Sequence, residues 1–143
     1  MPIKTKRWND PRKKSDGFRI LVCRYRPRAL TKEAETWDHW QADLAPSREL
    51  HAAHYGKNGE TPISWDEFCQ RYREEMKGAD QRQYIEFLAE KVAAGKTITL
   101  LCSNTCKKAA RCHRSLLKEL IEEHIAGTPA GPREKTFIPE AVG

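Results

Sequence analysis

Thr97-Ile98-Thr99-Leu100-Leu101-Cys102 is six residues without a charge, rich in β-branched and aliphatic side chains. A run that apolar and that short reads as a strand covered on both faces. Phe18-Arg19-Ile20-Leu21-Val22-Cys23 is its counterpart near the start of the chain, preceded by turn chemistry from Asn9-Asp10-Pro11 to Asp16-Gly17. Ile3 to Trp8 alternates weakly, and its lysines suit a short edge strand. Helices fill the interval between the two strong strands. Thr31 to Ala42 reads as a helix with Thr31 as N-cap. Ser47 caps another that Gly56 closes. Ser64 and Glu67 form a capping box ahead of Trp65, Phe68, Cys69, Tyr72 and Met76, which share one helical face before Gly78. Asp80 caps a helix with Tyr84, Ile85, Leu88 and Val92 as its buried stripe and Gly95 just past its end. After Cys102 a last helix carries Leu116, Leu117, Leu120, Ile121, His124 and Ile125 and closes at Gly127 and Pro129. Strand, helices, strand, helix is an α/β order. It predicts a single compact domain over residues 1–126, with a small, mostly parallel sheet covered by helices on both faces. Residues 127–143, with Gly127, Pro129, Gly131, Pro132 and Pro139, read as a C-terminal tail.

A chain of 143 residues matches one domain of ordinary size. Mean hydropathy is −0.80, and no apolar run approaches the ~18 residues of a membrane span. Met1-Pro2-Ile3-Lys4-Thr5-Lys6 lacks the apolar core of a secretory signal. A cytoplasmic location is expected, with the five cysteines reduced. Charge is unevenly placed: residues 1–32 are net +9 and the remainder net −3, giving +6. Such asymmetry points to an anionic partner, set against the alternative of a solvated basic edge.

Ligands of open α/β sheets bind outside the carboxyl ends of the strands. The first strong strand runs into Cys23-Arg24-Tyr25-Arg26-Pro27-Arg28, and the second into Cys102-Ser103-Asn104-Thr105-Cys106-Lys107-Lys108-Ala109-Ala110-Arg111-Cys112-His113-Arg114. Parallel strands put both clusters at one end of the sheet. Lys107, Lys108, Arg111 and Arg114 are expected in the opening turns of the last helix, where cations oppose the macrodipole. That placement points to an anion pocket built from Arg24, Arg26, Arg28, Ser103, His113 and Arg114. Cys102 is a candidate nucleophile with His113 as acid–base, because cations and a helix N-terminus favour a thiolate. Cys102, Cys106, Cys112 and His113 have the spacing C-x3-C-x5-C-H and could instead bind zinc, although adjacent Cys and His ligands are awkward on a helix. A Cys102–Cys112 redox pair and two inert core thiols are the remaining readings. For Cys23 and Cys69 the core reading is preferred. The stretch from Cys106 to Arg111 is similar to a sulfurtransferase loop but starts four residues beyond the strand. His39, His51 and His54 are expected in surface or interface roles, and Trp37 and Trp40 on one helix face. P-loop, Rossmann glycine and HExxH motifs are absent, so no cofactor is implied.

Asp16-Gly17-Phe18-Arg19-Ile20-Leu21-Val22 followed by Arg24 and Pro27-Arg28 resembles the opening of the family called domain of unknown function 488. Trp40 with Leu44-Ala45-Pro46-Ser47 and Leu50 continues the match, then Trp65, Phe68 and Tyr72. Thr99-Leu100-Leu101-Cys102 and Cys112-His113-Arg114-Ser115-Leu116 resemble its closing pair in the cysteine-carrying branch. The resemblance spans roughly residues 3 to 125 and implies a compact α/β domain with a site shared by two strand ends. It implies no particular reaction. Family members typically read Asp-Arg-Leu-Trp-Pro-Arg-Gly where this chain has Cys23-Arg24-Tyr25-Arg26-Pro27-Arg28-Ala29. An acid is thus replaced by Cys23 and a tryptophan by Arg26, which makes the pocket more positive; Cys106 and Lys107-Lys108 also stand outside the pattern. The expected function is binding of a phosphate-bearing small molecule, a nucleotide or a nucleic acid. A cysteine-dependent enzyme and a zinc-binding interaction module are the alternatives.

Overall fold

The computed structural model describes residues 3–27, 30–56, 59, 61–103 and 112–127. Its sheet has four parallel strands, β1 (Ile3–Arg7), β2 (Phe18–Leu21), β3 (His39–Trp40) and β4 (Ile98–Cys102), in the order β1-β4-β2-β3. The uncharged run lies where that composition requires: β4 is flanked on both sides, with Ile98 opposite Ile3 and Phe18, and all five of its residues are buried. β1 takes an edge, and its lysines are half-buried there. Helices α1 (Arg48–Tyr55), α2 (Trp65–Glu75), α3 (Ala79–Ala93) and α4 (His113–Ala126) complete the α/β domain. Ser47 Oγ accepts the Leu50 N–H and Ser64 Oγ the Glu67 N–H, as the cap residues predict. Glu67 turns to Arg71 at 2.6 Å rather than back to the cap. Gly78, not Asp80, is the N-cap of α3, and Asp80 sits in its first turn. No described helix is long and apolar enough to cross a membrane. Residues beyond Gly127, the expected tail, lie outside the described ones.

The helices do not cover both faces. Ile3, Ile20, Val22, Ile98 and Leu100 pack with Leu50, Phe68, Tyr72, Leu88, Leu117 and Ile121, so all four helices share one face. The alternating residues Leu21 and Leu101 join Cys23, Trp37, Cys102 and Cys112 in a second cluster flanked by Trp8 and Leu30. Among the described residues that second face is roofed by irregular chain, and this corrects the two-sided helical expectation. The Thr31–Ala42 helix is also absent: a 3-10 turn (Lys32–Ala34), β3 and a second 3-10 turn (Ala42–Leu44) replace it. Tertiary bonds compete successfully for that backbone. The Thr36 carbonyl accepts from Arg19 Nε at 2.8 Å and Arg12 Nη2 at 3.1 Å, and the Thr36 hydroxyl donates to the Trp8 carbonyl. Trp37 is buried under the roof, whereas Trp40 is part-exposed and donates through Nε1 to the Cys23 carbonyl at 2.8 Å.

Beneath the roof lies a charge network. Asp16 and Arg19 are both 0% exposed and pair at 2.6 Å. Lys6 and Lys4 reach the same carboxylate at 2.8 and 3.4 Å, and the Lys13 N–H donates to it at 3.1 Å. Thr99, on the central strand, donates to the Asp16 carbonyl at 2.7 Å. Lys4, Lys6, Arg7, Arg12, Arg19 and Arg26 each lie within ion-pair distance of an acid, but Lys4, Lys6 and Arg19 share Asp16, so most of the N-terminal basic surplus remains.

Gly17 joins this network to β2 with φ +63°, and a Cβ there would lie 2.2 Å from the Thr97 carbonyl oxygen. A left-handed alanine is strained, and this one also collides with backbone. Gly17→Ala is therefore expected to lower stability by at least ~2 kcal/mol in urea unfolding, more than Gly59→Ala, where φ +77° strains an alanine by ~1 kcal/mol but the Cβ meets nothing within 4 Å.

Candidate functional site

Parallel pairing brings two strand exits together. Leu21 lies opposite Leu101, and the Val22 N–H donates to the Leu101 carbonyl at 3.0 Å, so Cys23-Arg24 leaves the sheet beside Cys102-Ser103. α4 starts at the same end, with Cys112 as its N-cap. Between these elements lies a cleft of about 130 Å³. That is roughly ten times the ~10–15 Å³ a single water needs. The cleft is lined by Cys23, Arg24, Cys102, Ser103, Cys112 and His113, with Tyr25, Pro46 and Phe68, and α1 adds His51, His54 and Tyr55.

Both thiols are buried, with their sulfurs 3.1 Å apart. His113 is buried as well, and its Nε2 lies 2.6 Å from the Val22 carbonyl oxygen. A carbonyl can only accept, so Nε2 carries the hydrogen, and in the neutral ring Nδ1 then presents its lone pair. Nδ1 lies 4.0 Å from Cys112 Sγ. Cys112 adopts φ −131°, ψ 142°, which is extended backbone. The objection that neighbouring Cys and His diverge on a helix therefore does not apply, because Cys112 precedes the helix. Beneath His113, Tyr72 donates to the Leu44 carbonyl at 2.7 Å. Burial, then the neighbouring sulfurs, pushes its phenol well above the ordinary value, and Tyr72 stays a neutral donor.

The arginines divide. Arg24 lines the cleft; its Nε and Nη2 donate to the Pro46 and Ala45 carbonyls at 3.0 and 3.4 Å, and Nη1 takes no part in those bonds. Arg26 turns away to Glu35 at 2.7 Å and lies over the Trp37 ring, outside the cleft. Arg28 lies outside the described residues, as do Cys106, Lys107, Lys108 and Arg111. Helix α4 begins at His113, so Arg114 is the one of the four expected cations described in its first turn. Arg114 is 5% exposed, and its Nε and Nη1 meet no hydrogen-bond partner among the described residues. It does not itself line the cleft but follows directly on His113, which does. The first turn of α4 holds no acid, and no side chain caps it.

A family model described as the active DUF488-N3 subclade matches residues 3–125. The chain belongs to that family. Among curated proteins it is similar to the uncharacterised protein YeaO of Escherichia coli, with 34% identity over 121 residues, 85% of this chain and 97% of YeaO. It is also 31% identical over 106 residues to the uncharacterised protein Rv3073c of Mycobacterium tuberculosis, covering 74% of this chain and 81% of that one. No solved structure matches the chain.

This DUF488-N3 domain places in its cleft four aromatic side chains that the sequence reading left aside. His51 and Tyr55 lie one helical turn apart with rings 4.8 Å between centroids, and the exposed Tyr25 meets His51 edge-on at 5.4 Å. His54 packs on Phe68 at 4.5 Å. Their i, i+3, i+4 spacing marked a helix stripe; nothing local marked the side of the sheet it would reach. His39 instead stacks on Tyr84, away from the cleft.

Proposed function

We propose that the cleft binds a phosphate-bearing small molecule, such as a nucleotide, with its anionic group at the α4 N-terminus beside His113 and the adjoining Arg114. The observation that carries this reading is the buried Arg114 guanidinium with two donors unmatched among the described residues. A buried cation without a counter-charge costs several kcal/mol, and an oxyanion accepting a charge-assisted N–H bond from it offsets that cost. Arg24, Ser103 and the helix dipole add to the same field. The size of the cleft, about 130 Å³, suits a compact ligand rather than a nucleic-acid backbone.

Calorimetric titration with inorganic phosphate and a nucleoside monophosphate tests this. Arg114→Ala and Arg24→Ala are each expected to weaken binding by ~10-fold or more, the worth of a charge-assisted hydrogen bond. Affinity for a small anion should fall gently with salt, whereas a nucleic acid would show the steep slope of many released counterions. Unchanged affinity in both variants would overturn the reading. The proximity of His113 Nδ1 to the thiols favours one second reading, a thiol-dependent reaction on the bound ligand. It predicts alkylation of Cys102 or Cys112 at pH 7 faster than that of cysteine in solution.

A further inference from the structure

We propose that Cys102, Cys112 and His113 form a three-ligand site for a thiophilic divalent metal ion, zinc(II) foremost, whose fourth position opens to the cleft. The two Sγ atoms and an imidazole nitrogen all lie within 4.8 Å of one another. Tetrahedral zinc with bonds of ~2.3 Å to sulfur and ~2.0–2.1 Å to nitrogen sets its ligand atoms roughly 3.5–3.8 Å apart. The sulfurs stand at 3.1 Å, Cys112 Sγ is 4.0 Å from Nδ1, and all three ligand atoms lie within 4.8 Å, so side-chain adjustments of about one ångström complete that geometry.

Three further features belong to metal sites rather than to inert core thiols. His113 donates Nε2–H to the Val22 carbonyl at 2.6 Å, which fixes the ring and directs Nδ1 inward, as second-shell carbonyls do for metal-bound histidines. The ligands come from rigid positions: the end of the central strand, a helix N-cap and the first residue of α4. All three residues line the cleft, so an ion held there faces the space where a ligand enters. Two thiolates and one imidazole select zinc over magnesium, calcium or manganese. Three protein ligands with one open position is the pattern of zinc sites that act on bound water or substrate. The inference stands apart from the anion reading, since it is tested without any anion.

The full chain, reduced and metal-free under inert gas, is titrated with zinc against a chromophoric chelator and separately with cobalt(II). The expected result is one ion per chain, a thiolate-to-cobalt charge-transfer band, and protection of two cysteines from alkylation. Cys112→Ser and His113→Gln are expected to weaken binding by ~100-fold or more, while Cys23→Ser and Cys69→Ser leave it unchanged. The cobalt spectrum of the wild-type chain reports the ligand set even where a variant folds poorly. Absence of the thiolate band, or equal affinity in Cys112→Ser, would overturn the proposal. So would closure of Cys102 and Cys112 to a disulfide with zinc present, and a loss in Cys106→Ser as large as in Cys112→Ser would overturn the open position.

Discussion

Asp16→Ala is expected to destabilise the protein by about 3–5 kcal/mol, the cost of leaving one partner of a buried ion pair alone. Arg19, fully buried, would keep its bonds to the Thr36 and Asp10 carbonyls but lose its counter-charge, and Lys6 would keep only the Pro11 carbonyl. Against a typical domain stability of ~5–15 kcal/mol this is a large fraction. The same carboxylate carries a pH signature. Burial alone would favour its protonated form, but bonds from Lys6, the Lys13 N–H and Arg19 outweigh burial and hold its pKa well below the ordinary 3.8. A depressed folded-state pKa means that the stabilisation is complete above the unfolded value and is lost as pH falls below it toward the folded one. Urea midpoints of the wild type should therefore drop steeply below about pH 4, and Asp16→Asn should lack that component. An Asp16→Ala chain within ~1 kcal/mol of wild type would contradict the network's role.

Arg114→Leu separates stability from binding. A ligand that binds the folded state alone adds ~2.7 kcal/mol at one hundred times its Kd. The wild-type melting temperature should accordingly climb with phosphate concentration, while that of Arg114→Leu stays level. In phosphate-free buffer the variant should equal or exceed wild-type stability, because a leucine removes buried donors that meet no partner among the described residues. Equal phosphate-dependent shifts in both proteins would remove Arg114 from the site.

The sequence made the central sheet legible because apolar continuity alone identifies a doubly covered strand: Thr97–Cys102 and Phe18–Cys23 contain β4 and β2, side by side and parallel. From that pairing, the convergence of Cys23-Arg24 with Cys102-Ser103 follows. Three features were not legible. The roof of the second face brings Trp8 and Trp37 over the sheet with the buried Asp16–Arg19 pair beneath it, and neither an acid in a turn nor an arginine in a strand carries a local mark of burial. The stretch from Thr31 to Ala42 has acids placed for a helix start, but its backbone groups are claimed by Arg19 and Arg12, which are distant in sequence. His51, His54 and Tyr55 lie on a helix whose seat over the strand ends is set by the chain as a whole. Arg26 illustrates the limit of reading charge as function, since Glu35 neutralises it nine residues on.

The most direct test of the anion site is a crystal structure of the full chain grown without sulfate or phosphate and then soaked in inorganic phosphate. A tetrahedral anion is expected at the α4 N-terminus, within ~2.7–2.9 Å of an Arg114 nitrogen and adjoining the cleft of Arg24 and Ser103. Arg114 satisfied by the protein's own acceptors, with no anion at the head of α4, would contradict it.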